Sequence, residues 1–401
     1  MRPFAHRRIV FGVTGGIASY KAAWLARLLT KAGAEVDVVM TAAAQEFVTP
    51  VTFEALTGRP VHTALIAAGH ALDHIALARS AHAIVVAPAT ADFMARAAHG
   101  RANDLLTACL LAADAPVLLV PAMNDRMWAH RQTVWNVAHL RQLGYHVLDP
   151  DTGPLAAGEG SGAGRMPEPE IIFAHVGRLL DADGLLRGRR VIVTAGATRE
   201  PVDPVRFLSN RSSGKMGVAI AGAAWRRGAD VTLIAGPLAV APPVGATVIS
   251  VETTDAMREA VAAQLPTADV LVMAAAPADF RPATVAAQKI KKGAALTDIA
   301  VVPTDDILLA TRDLRAAHAI VVGFALETEA ALAGGREKLR RKALDMVVVN
   351  DATEPGAGFG TDTNRVTFLV GDGQPDALPL LDKTDVADAI LDRVEGLMRG
   401  R

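Results

Sequence analysis

What most constrains this chain is the recurrence of short, nearly continuous apolar runs separated by Ala-rich segments of helix length. Such runs occupy residues 8–13, 35–40, 83–87, 117–120, 191–194, 231–234, 270–273, 319–322 and 346–349. A strand with one wet face alternates apolar and polar residues. A strand apolar on both faces needs cover on both, and helices crossing between parallel strands provide it. The expected fold is therefore α/β, with parallel sheets and with ligand loops at the strand ends, where glycines and prolines gather.

The pattern runs twice. Residues 9–16 are echoed by 191–198, 32–36 by 227–231, and 83–93 by 270–280. The two halves either share ancestry or merely share strand grammar, and both readings give two nucleotide-type domains. A length of 401 residues agrees with two or three domains. We place the first at 1–180, a short polar linker at 181–188 and the second at 189–401. The glycine-rich segment 151–166 neither follows a strand nor opens a helix, so its Gly-x-Gly spacing is not a dinucleotide fingerprint. It reads as a flap, with a plain surface linker as the alternative.

Composition excludes several classes. Hydrophobic residues make up 51% of the chain, enough for large cores and against wholesale disorder. Lys plus Arg total 41 and Asp plus Glu 42, a formal charge of −1 that argues against a nucleic-acid partner. The single cysteine, Cys109, rules out an intramolecular disulfide or a Cys-rich zinc site, and its helical context at 105–113 marks it as a small buried residue. The basic N-terminus leads into a strand-like run without a cleavage pattern, so no signal peptide is expected. The longest charge-free stretch, 231–251, has the length to cross a bilayer. Gly236, Pro237, Pro242, Pro243 and Gly245 interrupt it, which argues against a spanning helix. The expectation is a cytoplasmic protein without a membrane partner.

Chemistry-bearing residues sit at the strand ends. In the first half, Gly15, Gly16 and Ser19 lie between a strand and a helix, a setting in which backbone N–H groups hold phosphate. Lys21 lacks the full spacing of a phosphate-loop lysine. Asn124 is by default a helix cap, and a lone His74 is by default structural. In the second half, Ser212, Ser213 and Gly214 open a helix, with Arg206 and Lys215 supplying positive charge. Asp279 closes a strand and is placed for Mg2+ or a ribose hydroxyl, with Lys289 and its lysine neighbours placed for phosphates.

The set Gly15–Lys21, His74, 88–91, 102–105 and 121–124 resembles the flavin-dependent cysteine decarboxylases, and the segment 209–217 resembles the phosphopantothenate–cysteine ligases. Together, over residues 7–395, they resemble the bifunctional phosphopantothenoylcysteine decarboxylase/phosphopantothenate–cysteine ligase family of bacterial coenzyme A biosynthesis. The resemblance implies two Rossmann-like parallel-sheet domains, a flavodoxin-like FMN domain followed by a nucleotide-binding ligase domain that uses CTP and Mg2+. It implies FMN contacts from Gly15, Gly16, Ser19, Thr41, Ala89, Thr90 and Met123, with Asn103 in a neighbouring loop. His74 becomes the acid/base group, and Asn124 the holder of the substrate carboxylate. In the ligase half it assigns Asn210 to the acyl centre, Arg206 to the phosphate of 4′-phosphopantothenate and Lys289 to the developing phosphate charge. Asp279 is assigned to the metal, Phe324 to the base, and Lys338 and Lys342 to the nucleotide. Ser212, Ser213 and Gly214 complete that nucleotide set. The resemblance further implies a trimer through the first half, a dimer through the second and hence a dodecamer. One departure stands out. The family's flap commonly carries a cysteine where this chain has Ala157.

Overall fold

The computed structural model describes residues 3–66, 71–155, 158, 160–181, 184–291, 298–327, 331–351, 356, 358 and 360–400. They form two compact units, Met1–Asp181 and Ala182–Arg401. The segment expected as a linker divides between them. Leu186 is fully buried and Gly188 N donates to Gly228 O, so its second part already belongs to the second unit.

The first unit is built on a five-stranded parallel sheet in the order Glu35–Met40, Arg8–Val13, Ala83–Ala89, Val117–Pro121, His146–Val147. This is the flavodoxin-like order, and its direction reverses between Arg8–Val13 and Ala83–Ala89. Both faces are covered, as the continuous apolar runs require. Ile9, Phe11 and Val13 enter a core with Leu25, Leu29, Phe53, Ile172 and Val176, from helices Ser19–Lys31, Pro50–Thr57 and Pro169–Leu180. Val10, Ile84 and Val86 face the opposite core, with Phe93, Leu106, Cys109 and Leu140. Each such side chain contributes roughly 1.5–3 kcal/mol by leaving water. The glycine-rich segment contains an antiparallel hairpin, Asp151–Pro154 with Ser161–Arg165. Ala157 and Glu159 lie outside the described residues.

The second unit carries an eight-stranded sheet ordered Thr247–Ser250, Asp230–Ala235, Arg190–Ala195, Val270–Met273, Ile320–Glu327, Met346–Asp351, Thr367–Val370, Asp376–Ala377. The first six strands are parallel, in the 3-2-1-4-5-6 order of dinucleotide-binding domains. The last two are antiparallel and extend the parallel sheet at its far edge. Thr367–Val370 and Asp376–Ala377 are joined by a short turn, and a turn of that length can return only an antiparallel strand. The charge-free stretch 231–251 supplies the inner strand Asp230–Ala235 and the edge strand Thr247–Ser250. Among the described residues, no helix is long and apolar enough to cross a membrane. Helices Lys215–Arg226 and Lys383–Arg399 are joined through buried Arg227, which donates to Glu395 at 3.1 Å and to Asp388 Oδ1 at 3.2 Å.

Candidate active sites

In the first unit, the strand-end loops meet at the point where the sheet order reverses. Thr14 Oγ1 donates to Pro88 O at 2.7 Å and accepts from Thr90 N at 3.1 Å. Thr90 in turn caps helix Ala91–Ala98 by accepting from Phe93 N, and Thr41 caps the next turn at Ala44 N. A Cβ on Gly15 would lie 2.4 Å from Ala43 Cβ, so the loop approaches the Thr41 turn as only glycine allows. Helix Ser19–Lys31 has no side-chain cap and no acidic residue in its first turn. Ser19 N donates to Gly16 O and Lys21 N to Ala18 O, so among the described residues Tyr20 N is the N–H of that turn left to meet an anion such as the phosphate of a flavin nucleotide. Ser19 itself is closed from solvent and donates to Thr14 O and Gly16 O, so it shapes the loop rather than facing a ligand. Ala89 is likewise fully buried. Lys21 is spent on Met166 O and Glu168, which removes it from phosphate chemistry.

Asn124 caps helix Asp125–Ala129, its Oδ1 accepting from Arg126 N at 2.9 Å. The flap hairpin is seated on the same turn. Met123 N donates to Gly164 O at 3.0 Å, and a Cβ on Gly164 would stand 2.2 Å from Met123 O. Any larger residue at 164 would push the hairpin off the turn. Asn103 is exposed and accepts from Arg96, which also pairs with Asp104 at 2.5 Å. Burial works against ionisation of Asp104, but its bonds to Arg96 and Thr107 win and hold its carboxyl below the usual range. His74 stands in the first turn of helix Asp73–Ser80, with a buried Nδ1 that has no hydrogen-bond partner among the described residues. A buried nitrogen left unpaired is costly and marks a position that a bound group can complete. No hydrogen bond links His74, Asn103 and Asn124 to one another among the described residues.

In the second unit, a cavity of about 590 Å3 opens at the carboxyl ends of the strands. It brings together Asn210, expected at the acyl centre, and most of the residues expected for a nucleotide: Ser212, Ser213, Gly214, Asp279, Phe324, Lys338 and Lys342. Gly214 is the N-cap of Lys215–Arg226 at φ 79°, a left-handed conformation that suits glycine. With no side chain capping that helix, its N–H groups are free to bind an anion. Asn210 Nδ2 donates to Ala276 O and Pro277 O, fastening the loop before the helix to the loop after Val270–Met273.

The cavity lysines have internal partners. Lys215 pairs with Asp362 at 2.7 Å, Lys342 with Asp306 at 2.6 Å, and Lys338 donates to Phe324 O. Lys383, the first residue of the last helix, donates to Gly358 O and Thr361 O. Burial pushes its pKa down and the charge of Lys215 adds to this, with Asp362 opposing. No motif announces Lys383, Asn364 or Asp306, which reach the cavity from separate stretches of chain.

Two expected residues lie off the cavity wall. Lys289 is exposed, and Arg206 donates to Ile290 O at 2.7 Å. Arg206 belongs to a local assembly around Asp203, which accepts from the N–H groups of Val205, Arg206 and Ile290, the residue that follows Lys289. Those N–H groups outweigh burial and hold the Asp203 carboxyl below its usual range. The described residues contain no cluster of three or more His, Cys, Asp or Glu suited to a metal. Mg2+ on a nucleotide keeps several waters and phosphate oxygens, so one carboxylate such as Asp279 on the cavity wall fits that role.

Residues 2–180 match the Flavoprotein family, and residues 186–398 match the DNA/pantothenate metabolism flavoprotein C-terminal domain. The chain is 49% identical to the coenzyme A biosynthesis bifunctional protein CoaBC of Mycobacterium tuberculosis, covering 98% of this chain and 97% of that protein. Identity to the Vibrio cholerae protein of the same name is 44%, covering 98% of each. A crystal structure of the C-terminal domain of CoaBC aligns with 54% of this chain and 98% of that one, at 38% identity and a TM-score of 0.46. Fold, strand-end loops, the two family matches and the full-length sequence relatives define a two-domain enzyme, a flavoprotein followed by a ligase-type domain. The chain belongs to the family of bifunctional coenzyme A biosynthesis proteins, which combine decarboxylase and ligase activities.

Proposed function

We propose that the second unit joins 4′-phosphopantothenate to cysteine using CTP, and that the first unit decarboxylates the resulting 4′-phosphopantothenoylcysteine to 4′-phosphopantetheine. The observation that carries the ligase reading is the cavity in which an uncapped helix N-terminus, a wall of lysines and Asp279 converge. A carboxylate is a poor acylating agent. Attack of its oxygen on the α-phosphate of CTP releases pyrophosphate and leaves an acyl-cytidylate. The cysteine amine then displaces CMP and loses a proton. Asp279 would hold Mg2+, which together with Lys289 would offset the charge that develops on phosphate. Asn210 steadies the acyl centre, Phe324 packs on the base, Lys338 and Lys342 hold the nucleotide, and Arg206 grips the substrate phosphate.

Decarboxylation needs a different device, because a carboxylate on a saturated carbon has no electron sink. FMN held by the strand-end loops would supply that sink as a reversible two-electron acceptor: the neighbouring thiol would reach the thioaldehyde level, CO2 would leave to give an enethiol, and the same two electrons would return to it to give the thiol product. His74 handles the proton at the thiol, and Asn124 with the Met123 backbone orients the carboxylate. Gly15, Gly16, Thr41 and Thr90 form the walls of the crevice. A second reading keeps the ligase and alters the decarboxylase, and Ala157 at the flap position favours it, because alanine donates no proton.

The test incubates the full chain with 4′-phosphopantothenate, cysteine, CTP and Mg2+ and identifies products by mass spectrometry. Formation of 4′-phosphopantetheine supports both activities. Accumulation of phosphopantothenoylcysteine, or of a decarboxylated product two hydrogens lighter, supports the altered decarboxylase. Absence of any coupled product overturns the ligase reading.

A further inference from the structure

Where the first unit's sheet order reverses, the main-chain ladder stops short of the ligand loops and a side chain takes over. Pairing between Arg8–Val13 and Ala83–Ala89 runs from Ile9 with Ala83 to Gly12 with Val86. Pro88 has no N–H with which to continue it. The Thr14 hydroxyl bridges the gap, donating to Pro88 O and accepting from Thr90 N. Thr14 is only 2% exposed, so neither bond competes with water. Its own carbonyl is held by Ser19 Oγ at 3.0 Å. The second unit uses the same means at its own reversal point, though not at the equivalent position. There the ladder ends at Met273 with Thr194, and fully buried Thr194 accepts from Ala275 N at 3.1 Å.

We propose that Thr14 is a positioning residue for flavin binding. By clamping the loop after the first strand to the loop after Ala83–Ala89, it fixes the spacing of the two walls, Gly15–Gly16 and Thr90. Removing the hydroxyl leaves Pro88 O and Thr90 N unpaired, and the walls separate to find new partners. Thr194 holds the nucleotide loops of the second unit in the same way. The proposal rests on the FMN reading of the first unit.

The test strips flavin from the full-length protein and titrates FMN by quenching of flavin fluorescence, with apoprotein melting as the fold control. Thr14→Val and Thr14→Ala are expected to bind FMN about tenfold more weakly or worse. Thr14→Ser, which keeps the hydroxyl, is expected to bind within about twofold of the parent. Thr194→Val is expected to leave FMN affinity unchanged. A folded valine or alanine variant with the parent's affinity overturns the clamp, as does a serine variant as weak as valine. If valine is not accommodated, the alanine–serine comparison decides. A parent protein that takes up no FMN overturns the FMN reading itself, which separates that failure from failure of the clamp alone.

Discussion

A single side chain in this protein often has two claims on it, one from the fold and one from the ligand. Asn124 is a helix cap and a proposed carboxylate holder, and Asn210 is a loop tie and a proposed acyl-site amide. His74 is different, because its buried Nδ1 has no hydrogen-bond partner among the described residues. His74→Asn is therefore expected to abolish decarboxylation and leave ligation intact, with phosphopantothenoylcysteine accumulating by mass spectrometry. Full conversion to 4′-phosphopantetheine by this variant would remove His74 from the mechanism. Lys289 is exposed and off the cavity wall, so its proposed role is electrostatic rather than structural. Lys289→Gln is expected to cut CTP-dependent turnover by at least about a hundredfold. Flavin absorbance and melting temperature should not change. Unaltered pyrophosphate release would assign the charge to another lysine. Cys109 has no such role. Burial, with Asp104 and Asp73 adding to it, pushes its thiol up to about 12, and it packs as a small apolar residue.

At the scale of elements, helix Pro169–Leu180 closes one face of the first sheet through Ile172, Val176 and Leu180. It also carries His175, which burial, with the charges of Arg178 and His146, holds down to about 4 from the usual 6.5. Between these values the unfolded chain takes up a proton that the folded chain refuses. The stability tied to His175 is thus complete above about pH 6.5 and is lost as pH falls toward 4. The loss is on the order of 2 kcal/mol once partial exposure is allowed for. Thermal unfolding followed across that window should show a shallower acid slope in His175→Gln. An unchanged slope would place the acid sensitivity elsewhere. The flap hairpin shows how an element can hide from periodicity. Ser161–Arg165 contains Gly162 and Gly164 where a strand would normally alternate apolar and polar side chains. Its pairing depends on close approach to the Met123 turn, a contact that only the folded chain brings together.

At the scale of the whole molecule, each unit has its own sheet and its own buried cores. Expressed separately, residues 1–181 are expected to keep flavin absorbance and decarboxylation, and residues 182–401 to keep ligation. Loss of both activities on separation would show that each needs the other unit. Ile17, Tyr20, Phe47 and Val51 are apolar side chains that the first unit leaves exposed. The sequence alone was sufficient for the inner strands, because a strand buried on both faces must be apolar at every position. It also carried the two-unit plan and the loops whose glycines, serines and prolines sit next to one another in the chain. The antiparallel end of the second sheet, the short edge strands and the flap pairing escaped it, since they are set by turns and close contacts rather than by periodicity. Only the tertiary structure brought Lys383, Asn364 and Asp306 to the same cavity wall as Ser212–Lys215, and only it showed Ser19 and Lys21 turned to the fold. Local pattern reports which face a residue buries; convergence of distant side chains depends on how the loops close over the strand ends, which no local pattern contains.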